Sequence, residues 1–263
     1  CGDEDCEAQI KAETQATIRN IPFGSTMAAN ATGNMTLAGN TNSNTAMGKA
    51  VNTTLNVYNS LGNLTSVKLA FTHIAAGQWA FTDSLTTTPS ALAGAGSLAS
   101  VTGTPSDLRP GSYSVTTTAT GDVTVVFTPT GGSAEPAVSG SIAASGTNTT
   151  VIPGLTLTAN AVLTAGTQTF TIGPGTTLDF DANGSYSTTN PALALSLSHT
   201  DGATTPQAVN LDLTQMTSFA GDGSVSTESQ DGFAAGALVT FSVSSSGEIT
   251  GIFSNGSNQA IGQ

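Results

Sequence analysis

A chain of 263 residues with an apolar fraction of 38% is long enough for one large or two ordinary domains, each with a real core. Charged residues make up only 8%, and 17 acidic side chains against 5 basic ones leave a net charge of −12. Such a surface cannot neutralise phosphates, which argues against nucleic acid and anionic membranes as partners, and no stretch approaches the roughly 20 apolar residues that span a bilayer.

From the start of the chain, Cys1-Gly2-Asp3-Glu4-Asp5-Cys6 lacks the basic and apolar regions of a secretory signal, so the expectation is a chain trimmed or exported without one. Helical periodicity occurs once, over Glu7 to Arg19, where Ile10, Thr14, Thr17 and Ile18 share a face. Beyond it the period is two: Leu55-x-Val57, Val67-x-Leu69-x-Phe71, Trp79-x-Phe81, Val123-x-Val125-x-Phe127, Leu155-x-Leu157, Phe170-x-Ile172, Leu193-x-Leu195-x-Leu197, Val209-x-Leu211-x-Leu213 and Val239-x-Phe241-x-Val243. Alternation of this kind predicts half-buried strands packed by one face. Turn residues fall between them at Leu61-Gly62-Asn63, Gly173-Pro174-Gly175, Asn183-Gly184, Asp201-Gly202 and Ser246-Gly247. Many short strands with regular turns imply an all-β fold of sandwich or barrel type. Residues 86–150, rich in Ala, Gly, Ser and Thr with sparse strand signals, read as a loop-rich insertion.

Few constellations suggest chemistry. Asp179-Phe180-Asp181-Ala182-Asn183-Gly184 matches the opening of a calcium loop, but Asn190 stands where the bidentate Glu belongs, and a hairpin with an Asn-Gly corner fits better. Cys1 and Cys6 have no further Cys or His pair nearby to complete a zinc site, and read as a short-loop disulfide or as free thiols. His73 and His199 lie in or beside alternating strands, and no Gly-x-Ser-x-Gly elbow occurs, so both read as ordinary strand residues. Any two acids could meet in a cleft to form a glycosidase pair, yet one Trp and three Tyr supply few rings for stacking a sugar. No phosphate-cradling Gly-rich loop is present. Neither a catalytic residue nor a cofactor or metal site is expected.

Three ordered blocks resemble the flagellar hook protein, FlgE, of the bacterial flagellar axial family. The first is Ile21-Pro22-Phe23-Gly24 followed by Ala31 to Asn40, similar to a family stretch ending in Gly-Asn-Leu, with Thr41 in place of Leu. In the second, Val57-Tyr58-Asn59-Ser60-Leu61-Gly62-Asn63 with the later Trp79 is similar to the family's Val-Tyr-Asp-Ser-Leu-Gly-Asn hairpin and Trp, and Leu178 to Gly184 is similar to its Phe-Asp-x-Asn-Gly turn. The third comprises Leu211 to Phe219, Ser229-Gln230-Asp231-Gly232 with Gly236, Ser254-Asn255-Gly256, and Ile261-Gly262-Gln263. The blocks cover roughly 21–81 and 178–263, and related rod proteins share parts of them.

The resemblance implies a structural subunit, not an enzyme, with no cofactor. Tyr58, Ser60, Leu61, Gly62, Trp79, Gln230, Asp231, Gly232, Gly236, Asn255 and Gly256 would then be residues of structural motifs. The implied assembly is a curved hook tube, a universal joint carrying motor torque, outside the cell and supplied by flagellar type III export. Its partners would be further hook subunits and the rod, hook cap and hook-filament junction proteins. The family's helical terminal segments are missing from this chain, which reads as an outer portion of the subunit. Two β domains are expected, an inner, tube-proximal one from 1–48 plus 214–263 and an outer one from 49–213 inserted into it. The alternative is a secreted or surface β-sandwich adhesin or carbohydrate-binding module, which explains the composition but not the ordered blocks.

Overall fold

The computed structural model describes residues 26–104, 108–148 and 150–262. The helix expected over Glu7–Arg19, the Cys1–Cys6 pair and Ile21–Gly24 lie outside the described residues. Every regular element among the described residues is a strand. In chain order they are β1 (Thr26–Met27), β2 (Asn34–Asn40), β3 (Ala50–Tyr58), β4 (Leu64–Ala75), β5 (Gln78–Asp83), β6 (Ala93–Gly94), β7 (Leu98–Gly103), β8 (Gly111–Thr117), β9 (Asp122–Pro129) and β10 (Val138–Ser141). There follow β11 (Thr147–Asn148), β12 (Leu155–Ala159), β13 (Gly166–Ile172), β14 (Thr176–Asp179), β15 (Leu193–Leu197), β16 (Gln207–Thr217), β17 (Ser224–Gln230), β18 (Gly236–Val243), β19 (Ile249–Phe253) and β20 (Asn258–Gly262).

The chain divides into two compact units: Cys1–Thr32, Tyr58–Leu64 and Asp231–Gln263 form the first, and Gly33–Val57 and Thr65–Gln230 the second. The second unit holds two sandwiches. In one, the sheets β14-β5-β4-β3 and β15-β16-β2-β17 share a core. Val67, Leu69 and Phe71 of β4 are fully buried, as are Leu55 and Val57 of β3, facing Met35, Leu37, Leu195 and Val209 of the other sheet. Strand β16 shows the alternation best, burying Val209, Leu211 and Leu213 while the residues between them face water. Trp79 and Phe81 close the core, with Phe71 tilted against Phe81 at 5.6 Å.

The second sandwich stands β10-β9-β8-β13-β6 against β11-β12-β7. Its separate core contains Val115, Val123, Leu155, Leu157, Phe170 and Ile172, with Tyr113 stacked on Phe170 at 4.9 Å. Residues 86–150, expected to be loop-rich, thus supply most of a sandwich that runs on to Ile172. Its strands are rich in Thr and Ser, which suit a pleated half-buried surface but weaken the apolar pattern by which strands are recognised.

The expected boundaries at 48/49 and 213/214 run through the interior of the second unit. Strand β2 pairs in parallel with β16, Met35 opposite Leu211, and antiparallel with β17 on its other side. Burying Met35 and Leu37 in the core that also holds Leu55 and Val57 draws 33–48 and 214–230 into that sandwich.

The first unit is built on the sheet β1-β18-β19-β20. Strand β18 forms where the alternation predicts, but the row Val239, Phe241 and Val243 is exposed and not half-buried, at 68%, 42% and 59%. The pairing of β18 with β19 shifts register between Leu238 and Thr240, and within the last three strands burial is confined to Gly236, Gly251 and Phe253.

Candidate functional site

Segments far apart in the sequence meet in the first unit. Tyr58 to Asn63 form a tight turn organised by Asn59, whose Oδ1 accepts from the amides of Leu61 and Asn63, each at 3.0 Å. The backbone closes the same turn, with Gly62 N donating to Asn59 O at 2.9 Å and Asn59 N to Asn63 O at 2.9 Å. An Asx turn of this kind needs an acceptor oxygen, which an amide supplies as well as a carboxylate. Gly62 adopts φ +83°, a left-handed backbone that a side chain would strain, and a Cβ there would also press on Ala29 and Ala234.

A second segment, Asn30 to Thr32, bridges that turn to the chain after Gln230. Thr32 exchanges bonds with Tyr58: its amide donates to Tyr58 O at 2.9 Å, and its Oγ1 accepts from Tyr58 N at 3.0 Å. Asn30 pairs by both backbone groups with Phe233 at 3.0 Å and donates its side-chain amide to Asp231 O at 2.8 Å. Gly232 lies so close to Thr32 that a Cβ would stand 2.0 Å from its Oγ1 and 2.8 Å from its N and Cα. Gly236 in turn faces Asn255, whose Cγ would be 2.7 Å from a Cβ. The Asn255 side chain donates to Ala234 O at 2.7 Å and accepts from Ser257 N at 3.0 Å, while Gly256 turns the chain at φ +82°.

Of the motif residues singled out in the sequence, Tyr58, Gly62, Gly232, Gly236, Asn255 and Gly256 take part in these turns and contacts of the first unit, and Asp231 joins through its carbonyl. Ser60 and Leu61 occupy the turn, with Leu61 55% exposed. Two residues lie in the second unit. Gln230 ends β17 opposite Met35, and Trp79 is buried in the first sandwich, where its Nε1 donates to Ser218 Oγ at 3.2 Å and its ring stacks on His73 at 4.7 Å. Thr32 and Asn30 were not singled out as motif residues. Their partners lie 26 and about 200 positions away, and no local spacing announces such contacts.

The groups considered for chemistry are engaged otherwise. Asp181 accepts from the amides of Asn183 and Ser185 at 2.8 and 2.9 Å, capping a hairpin in which Phe180 bridges to Tyr186. Asp179 Oδ1 accepts from Gln78 Nε2, and Asn190 bonds both backbone groups of Asp179. His73 Nδ1 lies 2.5 Å from Thr45 O and His199 Nε2 2.7 Å from Gln207 Oε1. Among the described residues no group of three or more His, Cys, Asp or Glu could hold a metal ion.

Residues 156–233 match the family model of the flagellar basal body protein FlaE D2 domain. The match runs from β12 through β17 to Phe233, so it takes in the Phe180–Gly184 turn and Gln230-Asp231-Gly232 and begins 22 residues before the sequence kinship read at Leu178. No curated protein matches the chain. The crystal structure of the Helicobacter pylori flagellar hook protein FlgE2 is similar at a TM-score of 0.34 and 10% identity, over 81% of this chain and 31% of that one. This chain therefore spans less than a third of that protein's length, and so faint a likeness carries no argument. The family likeness is thus carried by residues 156–233, which are similar to the D2 domain of flagellar basal body proteins.

Proposed function

We propose that this chain is part of a structural subunit of the bacterial flagellar hook, polymerising outside the cell into a curved tube that carries motor torque to the filament. The observation that carries this reading is the FlaE D2 match over 156–233. The partners are further copies of the subunit and the rod, hook cap and hook-filament junction proteins. The role is mechanical and not catalytic, and export runs by the flagellar type III route. In such a tube the unit holding both chain ends is the tube-proximal part. The motif residues other than Trp79 and Gln230 act by shaping that unit.

Head-to-tail contacts that do not close generate filaments, and a joint that bends on every turn needs contacts that re-form cheaply. Neutral hydroxyls and amides exchange partners through water at small net cost. Strand β17 has that character, facing outward with Ser224, Ser226, Thr227 and Ser229 beside the single charge of Glu228, and charged residues are only 8% of the chain.

Deleting the gene for the full-length protein tests the assignment. Basal bodies without hooks support it, and normal hooks end it. The sliding mechanism has its own test in cryo-microscopy of curved hooks, where dry apolar contacts unchanged around the circumference would refute it.

A further inference from the structure

The two sandwiches of the second unit have cores with no residue in common, and polar groups meet where they join. At their junction one carboxylate gathers two of the five basic residues in the chain. Arg109, on the loop before β8, grips Glu135 with both arms of its guanidinium, Nη1 donating to Oε2 at 2.8 Å and Nη2 to Oε1. The same group reaches into the first sandwich, where Nε and Nη2 donate to Gly48 O at 3.2 and 3.0 Å. Lys49, of the first sandwich, returns the contact by donating to Glu135 Oε1 at 2.7 Å.

Arg109 is the enclosed member, while the Lys49 side chain is 57% exposed. The guanidinium lies 4.4 Å from the centre of the Phe127 ring, and the Arg109 side chain is 13% exposed. Gly48 N donates to His73 O and His73 N to Lys49 O, which fastens the receiving loop to β4. Gly48 is in left-handed backbone at φ +76° with Pro129 against it, where a Cβ would come within 2.1 Å of the proline ring. Beside the cluster Thr82 Oγ1 donates to Leu108 O at 2.9 Å. A planar fork bonding a carboxylate and a carbonyl at once fixes direction as well as distance.

We infer that Arg109, Glu135 and Lys49 form a clasp that sets the orientation of the second sandwich on the first. With the clasp closed the second unit moves as one body. With it open the second sandwich turns about the two strands of chain that join it, near 84–90 and 173–175, each sandwich keeping its own core. The inference does not depend on the proposed role in the hook.

The test is a spin-label distance across the junction, in the full chain with Cys1 and Cys6 replaced by Ser and labels on Ser141→Cys and Ser226→Cys, both exposed. The otherwise unaltered chain should give one narrow distance peak. Arg109→Ala should lose that single peak, broadening or shifting it, and Arg109→Lys, which keeps the charge but not the fork, should fall between. Amide protection at Leu69 and Val115 should persist in each, showing that both cores remain folded. An unchanged narrow peak in Arg109→Ala overturns the clasp. If Arg109→Ala loses protection at Val115, Glu135→Gln decides instead: a broadened peak with protection intact supports the clasp, and an unaltered peak refutes it.

Discussion

The two units hold themselves together by different means. The second relies on large apolar side chains: Trp79, Phe71, Phe170, Leu37, Leu55 and Leu155 are all almost wholly inaccessible to water. The first, in the contacts among Thr32, Tyr58, Gly232 and Asn255, relies on amide and hydroxyl bonds and on backbones brought together where glycine leaves no Cβ. Apolar packing tolerates exchange among residues of similar volume. Polar contacts of this sort do not, because each donor needs one acceptor at one distance. That difference separates the motif residues of the first unit, which act through turns and close backbone contacts, from Trp79 of the second, which acts by filling a core.

Substitutions can break this contrast or sharpen it. The largest effect is expected from Trp79→Ala, which empties the centre of the first sandwich and should cost about 3–5 kcal/mol, read as a fall in the urea midpoint. A loss under about 1 kcal/mol would mean that the apolar core does not dominate there. Next comes Gly232→Val, whose side chain must displace the Thr32 backbone. It should cost roughly 1–3 kcal/mol and should show as lost amide protection at Thr32 and Phe233. Asn59→Ala, which leaves the Leu61 and Asn63 amides without their acceptor, should cost about 1 kcal/mol, with faster exchange at those two amides.

A smaller effect concerns pH. Hydrogen bonding from Arg109, helped by Lys49, holds the Glu135 carboxyl down from 4.5 to about 2 against the opposing effect of burial. Because the folded value lies below the unfolded one, this stabilisation is complete above about 4.5 and is lost as pH falls towards about 2. Urea midpoints measured across that window should decline less in Glu135→Gln than in the parent, and equal slopes would contradict the assignment. The smallest change is expected from Val243→Ser on the exposed row of β18, within about 0.5 kcal/mol.

Much of the fold is legible in the residues. The alternation at Val67-Leu69-Phe71 and Val209-Leu211-Leu213 locates β4 and β16, because a strand with one dry face must repeat every second residue. The Asn183-Gly184 corner and the Asn59 turn are legible for a similar reason, since their hydrogen bonds close within four residues. The sandwich spanning 93–172 is only partly legible: β9, β12 and β13 show the alternation, but β7, β10 and β11 are short and rich in Thr, Ser and Gly. The exposed row of β18 reads like a buried one, because alternation reports a strand and an apolar side but not whether anything covers that side. The Arg109 clasp gives no local sign beyond the scarcity of basic residues, its members being 26 to 86 positions apart.

By itself, then, the sequence determines that this chain is made of strands, where most of them run, and that its motif blocks resemble a flagellar hook protein. These follow from short-range chemistry: the pleat, the turn, and a few side chains that must bond their neighbours. Only the tertiary structure decides which strands share a core. Met35 and Leu37 belong with Leu55 and Val209 because β2 pairs in parallel with β16, more than 170 residues away. It also decides that Tyr58, Gly232 and Asn255 belong to one unit. Strand pairing and burial depend on which apolar faces find each other across the whole chain, and no local spacing records that choice.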